Sequence, residues 1–159
     1  MTKENFILRE KEFLAFQGIL KRLVAESFAK AVFLIDKNGS LLTSVGETAD
    51  YDATSLASLA AGNIAATGGL AGLIGEREFA VLFHEGEKDS MHLSLIENRI
   101  ILIVIFDDRS SVGLVRLRVR KATEEMGAVV RGMGSGGGGD DVLDTIEELT
   151  DSDIENLFK

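Results

Sequence analysis

The chain contains no cysteine, and this absence removes several kinds of chemistry at once. A disulfide-stabilised scaffold, a thiolate metal site and a cysteine nucleophile are all excluded, and the composition fits a reducing compartment. The 159 residues are enough for one domain with a substantial core.

Long hydrophobic runs are also missing. The longest aliphatic run, "IILIVIF" at residues 100–106, is far too short to cross a bilayer and is typical of a strand buried on both faces. The opening residues, "MTKENFILREKEF", carry charges where a secretory signal needs an apolar core. These features predict a cytoplasmic protein without membrane insertion.

Basic residues are scarce at the C-terminal end. Residues 134–159 carry eight acidic side chains and one lysine, a charge of −7, whereas the other 133 residues carry 18 acids and 16 bases, a charge of −2. A nearly neutral body with an acidic end argues against a nucleic-acid-binding protein that works through bulk charge.

Charge is absent altogether from residues 56–75, where 11 of the 20 positions are alanine or glycine. A phosphate-binding loop is disfavoured because "GGLAGLIGE" has no lysine and ends in an acid. A membrane span is disfavoured because Ser58, Asn63 and Thr67 and the glycines leave the segment only mildly apolar. The preferred interpretation is a helix, which Asp52, Thr54 or Ser55 can cap.

Small side chains on this helix would let another backbone or a flat protein surface approach closely. Four interior glycines would together cost about 4 kcal/mol relative to alanine, so a large interface is the expected compensation. The predicted interface residues are small: Ala61, Gly62, Ala65, Ala66, Gly68, Gly69 and Gly72. The bulkier residues are expected to face the sheet: Leu56, Leu59, Leu70 and Ile74. In the alternative, the small residues only fit the helix onto its own sheet.

Periodicity predicts the other elements. An amphipathic helix is expected over residues 5–28, followed by strands at 32–35 and 41–45 with a turn at Asn38-Gly39. Three more strands are expected within residues 78–107, and then a helix capped by Ser110 or Ser111. The predicted fold class is α+β, with the order α-β-β-α-β-β-β-α and a five-stranded antiparallel sheet that has helices on both faces.

Catalytic chemistry has little support. His84, Glu85, Asp89 and Ser90 lie near a predicted turn, where a base and nucleophile pair would suit a small hydrolase, but solvated turn residues are the simpler interpretation. Two histidines without a third suitable ligand argue against a zinc site, so neither metal nor cofactor is expected. The basic run "RLRVRK" could bind phosphate, but a solvated helix face balanced by two glutamates, Glu124 and Glu125, is preferred.

The C-terminal region has a composition of its own. Residues 1–133 are predicted to form the domain, residues 134–139 a glycine-rich linker, and residues 140–159 an acidic tail that is disordered or folds on a partner. A tail that only improves solubility is the alternative.

Several stretches together resemble the roadblock/dynein light chain family. These are "AVFLIDKNGSLLTSVG", "TSLASLAAGNIAATGGLAGLIGE", "FHEGEKDS" and "VIFDDRSSVGLVRLRVRKA", and the ending "SDIENLF" is also similar to bacterial members. The resemblance implies a homodimer in which the second helices pack together and a strand edge joins the two sheets. It also implies that the paired helices form a platform for one small Ras-like GTPase in its GTP-bound state.

The resemblance further implies a GTPase activator with no active site of its own. Such a protein would reposition the arginine and glutamine of the GTPase rather than insert an arginine finger. Its tail would contact the partner and tune nucleotide exchange through Ile154, Leu157 and Phe158. The implied setting is bacterial cell polarity or motility, at a cell pole. The alternative is a roadblock scaffold that binds a GTPase or an assembly without changing its turnover.

Overall fold

The computed structural model describes residues 8–133. The elements follow the predicted order and confirm the α+β class: α1 (Glu10–Ser27), β1 (Ala31–Asp36), β2 (Leu41–Gly46), α2 (Ala53–Leu73), β3 (Val81–His84), β4 (Ser90–Ile96), β5 (Ile100–Phe106) and α3 (Val112–Gly132). The predicted linker and tail, residues 134–139 and 140–159, lie outside the described residues and stay predictions.

The five strands form one antiparallel sheet in the order β2-β1-β5-β4-β3. All seven residues of β5 are buried, as expected for an aliphatic strand at the centre of the sheet. Strands β2 and β3 are the two edges, and β3 is the shorter, with four residues. An edge strand exposes backbone N–H and C=O groups that another chain can pair with.

The predicted hairpin between β1 and β2 is confirmed, but its turn differs from the expected one. Only Gly39 of the Asn38-Gly39 pair has a positive φ, +96°. The Oδ1 atom of Asp36 instead organises the turn by accepting hydrogen bonds from the backbone N–H groups of Asn38 and Ser40, at 2.9 and 3.0 Å. A side chain that mimics a backbone turn in this way removes the need for left-handed geometry at Asn38.

Helices cover both faces of the sheet, as predicted. One face packs against α1 and α3 around a core that includes Phe16, Leu20, Leu23, Leu34, Leu102, Val104, Val119 and Met126. The opposite face packs against α2 around Phe33, Ile35, Ala57, Ala60, Ile64, Leu93, Ile101 and Ile103. Side chains of a strand alternate between the two faces, so β1 and β5 supply residues to both cores.

The predicted helix after the last strand is confirmed. The hydroxyl of Ser111 caps α3 by accepting a hydrogen bond from the N–H of Leu114 at 3.2 Å. Val115, Val119 and Met126 then recur at helical spacing and are buried against the sheet.

Candidate protein-interaction surface

Helix α2 begins with a well-formed cap. The carboxylate of Asp52 accepts hydrogen bonds from the N–H of Ser55 at 3.2 Å and from its hydroxyl at 2.7 Å. These bonds from Ser55 lower the pKa of Asp52, because they favour the charged carboxylate. The cap satisfies a helix N–H that has no partner inside the helix, so α2 begins at the predicted position.

The sheet-facing side of α2 consists mainly of alanine. Ala57, Ala60 and Ala71 are buried together with Ile64. Helix α2 also has no charged residue and is long and apolar enough, by length and composition alone, to cross a membrane. In the fold, however, Ala57, Ala60 and Ile64 pack against the sheet, in one core with Phe33 and the isoleucines of β5. Small residues on the helix therefore allow close packing on a bulky sheet.

The predicted orientation of the bulky residues was wrong. Leu59 is 74% exposed, and Leu70 and Ile74 also lie on the surface, whereas only Leu56 is half-buried against the sheet. Leu73, which sequence reasoning missed, is 84% exposed. The sheet beneath α2 carries bulky side chains, so the alanines of the helix lie against it. The leucines lie on another side of the helix and point outward.

The small residues predicted as an interface lie mostly on the outside of α2. The exposed ones are Gly62, Ala65, Ala66, Gly69 and Gly72, while Ala61 and Gly68 are half-buried. A Cβ atom added at Gly62, Gly69 or Gly72 would meet nothing within 4 Å. The packing of this subunit therefore does not require glycine at these three positions. Their role in an interface stays a prediction.

The outer surface of α2 thus has two neighbouring strips. We call the exposed small residues the glycine-alanine strip: Gly62, Ala65, Ala66, Gly69 and Gly72. We call the exposed large residues the leucine strip: Leu59, Leu70, Leu73 and Ile74. Residues three or four apart are neighbours on a helix surface, so the two strips run side by side.

A groove of about 480 Å³ separates α2 from the β3–β4 hairpin, and we call it the α2–β3 groove. Its lining includes residues of both elements and of the sheet floor: Tyr51, Leu59, Asn63, His84, Met91 and Leu93. The Nδ2 atom of Asn63 lies 3.2 Å from the Nε2 atom of His84. The groove depends on pairing between distant parts of the chain, so no local sequence signal indicated it.

The four residues of the hydrolase alternative, 84, 85, 89 and 90, all border this groove. Within residues 8–133, however, no hydrogen bond joins Ser90 to His84, and the carboxylate of Asp89 pairs with Lys30 at 3.3 Å. No cluster of three or more potential metal ligands occurs in the same described range. The arrangement lacks the contact between base and nucleophile that this chemistry requires.

The other histidine lies on the opposite face of the sheet. His92 is buried beneath α3, and burial lowers its pKa, helped by the positive charge of Arg116. The expected balance of the basic run was wrong for Glu125, and for Glu124 it stays a prediction. Arg118 instead pairs with Glu26 at 3.3 Å, and Glu125 pairs with Arg22 at 2.9 Å, because α1 lies alongside α3.

Comparison with known proteins supports the family resemblance. Residues 16–106 match the Roadblock/LC7 domain. The fold is similar to Myxococcus xanthus MglB, with 49% identity and a TM-score of 0.78 over 82% of this chain and 98% of that chain. It is also similar to the gliding protein MglB of Thermus thermophilus, with 26% identity and a TM-score of 0.76 over the same shares.

A third structure, of MglB in a tetrameric arrangement, has 26% identity and a TM-score of 0.77, again over 82% of this chain and 98% of that chain. A comparison with curated proteins gave no match. The expected membership of the roadblock family is therefore confirmed, and MglB proteins are among its similar members.

Proposed function

Because the chain belongs to the Roadblock/LC7 domain family, we propose that it is a homodimeric regulator that activates a small Ras-like GTPase of the MglA type. The observation that carries this proposal is the uncovered outer surface of α2. Three leucines and an isoleucine are exposed on this uncharged helix and its C-cap, and exposed apolar surface of this kind marks an interaction site.

Self-association would use the leucine strip and the adjoining sheet edge. Leu59 lies both in this strip and on the wall of the α2–β3 groove, so the strip borders the β3 side of the molecule. Val81 on the edge strand β3 is also exposed. A second copy that paired along β3 would bring its own α2 toward the groove and cover the leucines. The tetrameric arrangement of a similar MglB supports a tendency of such proteins to self-associate.

GTPase binding would use the glycine-alanine strip. Because its glycines have open space within their own subunit, their absent side chains benefit only a partner that comes close from outside. The helix also lacks acids and bases, so it adds no desolvation penalty for charges when a flat surface covers it. This division leaves one strip for the second copy and the other for the GTP-bound GTPase.

The activation mechanism would be positional. Helix α2 offers no arginine or lysine that could reach the transferring phosphoryl group. Stabilisation of the charge on the phosphoryl oxygens would then come from the GTPase's own arginine and glutamine, held in place by the docked surface. The regulator itself would have no active site and no cofactor.

The tail and the cellular setting complete the proposal. Ile154, Leu157 and Phe158, which lie outside the described residues, would contact the GTPase at a second surface and tune nucleotide exchange. The protein would act in the cytoplasm, concentrated at a cell pole, in polarity or motility. Similarity to a gliding protein supports this setting.

Single-turnover phosphate release from the GTP-loaded GTPase tests the proposal. We expect a saturating amount of the full-length protein to accelerate release by at least about tenfold, a reduction of about 1.4 kcal/mol in the barrier. Pull-down with the GTP-loaded and GDP-loaded forms measures binding separately. Binding of the GTP form without acceleration would replace the activator with the scaffold alternative, and no binding to either form would exclude both.

A further inference from the structure

A basic helix face lies uncovered on the side of the sheet opposite α2, and we propose that residues 140–149 of the same chain dock on it. We call this surface the α3 basic face: Arg116, Leu117, Arg120 and Lys121. The proposal concerns contacts within one chain and does not depend on the GTPase.

The α3 basic face combines an apolar centre with free positive charges. Leu117 is 59% exposed, although other apolar residues of α3, such as Val115 and Val119, are buried. Arg120 and Lys121 follow it by three and four residues and are its neighbours on the helix surface, and Arg116, the residue before it, is also exposed. An exposed apolar residue beside cations fits a ligand with the opposite charge and an apolar centre of its own.

These three cations differ from the other bases of α3. Arg118 pairs with Glu26 at 3.3 Å, and Arg131 pairs with Glu97. Within residues 8–133, Arg116, Arg120 and Lys121 form no ion pair. The fold therefore pairs the bases that border α1 and the β4–β5 turn, whereas Glu124 is the one acid of α3 that neighbours these three cations on the exposed side, and it forms no ion pair with them within residues 8–133.

Residues 140–149, "DDVLDTIEEL", have the matching composition. They carry five acids and no base, a charge of −5. Val142, Ile146 and Leu149 recur at spacings of four and three. In a helix these three side chains would lie on one side, and that side would face Leu117. Acids on either side of this apolar row would meet the cations of the α3 basic face.

The connection is long enough for this docking and short enough to favour it. Seven residues, 133–139, separate the end of α3 at Gly132 from the acidic segment, and five of them are glycine. Such a linker has a root-mean-square span of about 15 Å. Lys121 lies eleven residues before Gly132, about 16 Å back along the helix. A tether matched to this distance gives an effective concentration in the millimolar range.

Docking would also fix where the end of the chain emerges. The last ten residues, with Ile154, Leu157 and Phe158, would continue beyond the docked segment rather than be buried in it. The acidic half would then anchor the tail on the α1–α3 side, and the apolar end would stay available for another protein.

Distance measurements on the full-length chain test the proposal, and the lack of native cysteine allows two specific spin labels. Gly18→Cys on α1 and Thr150→Cys in the tail form the reporting pair, because Gly18 is exposed and has open space beside it. Ser58→Cys on α2 with Thr150→Cys is the matched control from the other side of the sheet. At low salt we expect a short, narrow distance distribution for the first pair and a longer one for the control.

High salt and charge removal should both abolish the narrow distribution. At 1 M NaCl, where the screening length is about 3 Å, and in the triple variant R116Q/R120Q/K121Q, the narrow component should be lost. Replacement of the five acids by Asn or Gln should have the same effect, and that variant leaves the sequence of the folded domain unchanged. The variant R116K/R120K, which keeps the charge, should retain the narrow component. Circular dichroism checks that α3 is intact.

Two results would overturn the proposal. One is a broad distribution at low salt that no variant alters. The other is a narrow distribution that disappears when the labelled protein is diluted with an excess of unlabelled protein, since this would assign the contact to a second copy.

Discussion

The side-chain amide of Asn63 lies 3.2 Å from the ring Nε2 of His84, so a hydrogen bond joins helix α2 to the edge strand β3. Both residues border the α2–β3 groove. The bond links the two walls of the groove at one point. A partner that covers α2 at this point therefore lies close to the edge strand β3 as well.

Substitution of Gly69 tests the close approach on the glycine-alanine strip. Gly69→Arg should abolish GTPase binding, because it adds bulk and charge to a surface that must lie flush with another protein. Ala65→Arg should act in the same way. Binding is measured by pull-down or calorimetry, and circular dichroism of Gly69→Arg should stay native because a Cβ atom there meets nothing in its own subunit. Gly18→Arg, at an exposed glycine of α1 with equally open space, is the matched control and should bind normally.

Gly69→Ala separates stability from binding. Alanine favours a helix over glycine by about 1 kcal/mol, so thermal or denaturant unfolding should show a more stable protein. The same methyl group should weaken GTPase binding if the surfaces meet at the glycine. A variant that gains stability and also keeps full affinity would contradict the assignment of this strip.

Leu73 on α2 tests the leucine strip. Because Leu73 is 84% exposed in the single subunit, Leu73→Glu should not disturb folding. A central interface residue contributes about 2 kcal/mol or more, so the dissociation constant of the dimer should rise about 30-fold or more. Light scattering and analytical ultracentrifugation measure the change. Leu14→Glu on α1, at a leucine that is 61% exposed, is the control and should leave the dimer intact.

Some features of this fold depend only on neighbouring residues. The caps at Asp52 and Ser111, the buried strand β5 and the helical repeat of α3 follow from neighbouring residues, and the structure confirms them. The orientation of α2 could not be read in this way. This helix has no charged residue, and its only polar residues are Ser, Thr and Asn, so its sequence has almost no contrast between an apolar and a polar face.

The deciding information for α2 lies elsewhere in the chain. Phe33 on β1 and Ile103 on β5 lie in the core beneath α2, and their bulk selects alanine for the buried side of the helix. The groove likewise requires β3 to reach the edge of the sheet beside β4, which is a property of the strand order. Long-range packing of this kind has no signature in a single segment.

His92 should make the stability of the domain depend on pH. Its pKa in the folded protein is below the ordinary value of 6.5, because the ring is buried and Arg116 lies near it. Between these two pKa values the unfolded chain binds more protons than the folded one. The free energy of unfolding should therefore be largest above about pH 6.5 and should fall as the pH drops toward the folded pKa, by at most about 1.4 kcal/mol per pH unit.

Denaturant unfolding between pH 7.5 and 4.5 measures this effect, and two variants isolate it. His92→Leu should remove the part of the pH dependence of the free energy of unfolding that comes from His92. Arg116→Gln should reduce this part by removing the repulsive charge. If the slope of the wild-type protein persists in His92→Leu, another group is responsible.

Removal of residues 134–159 tests the separate role proposed for the tail. The described fold ends at residue 133 and contains the whole outer surface of α2, so stimulation of GTP hydrolysis should remain largely intact. The rate of nucleotide exchange should change, because Ile154, Leu157 and Phe158 would no longer meet the GTPase. Release of a fluorescent GDP analogue measures exchange, and phosphate release measures hydrolysis on the same preparation. The full-length variant with these three residues changed to alanine should reproduce the effect on exchange, since it keeps the acidic charge. Loss of hydrolysis stimulation in the truncated chain would instead make the tail part of the main interface, because the linked segment would then supply contacts that α2 alone does not.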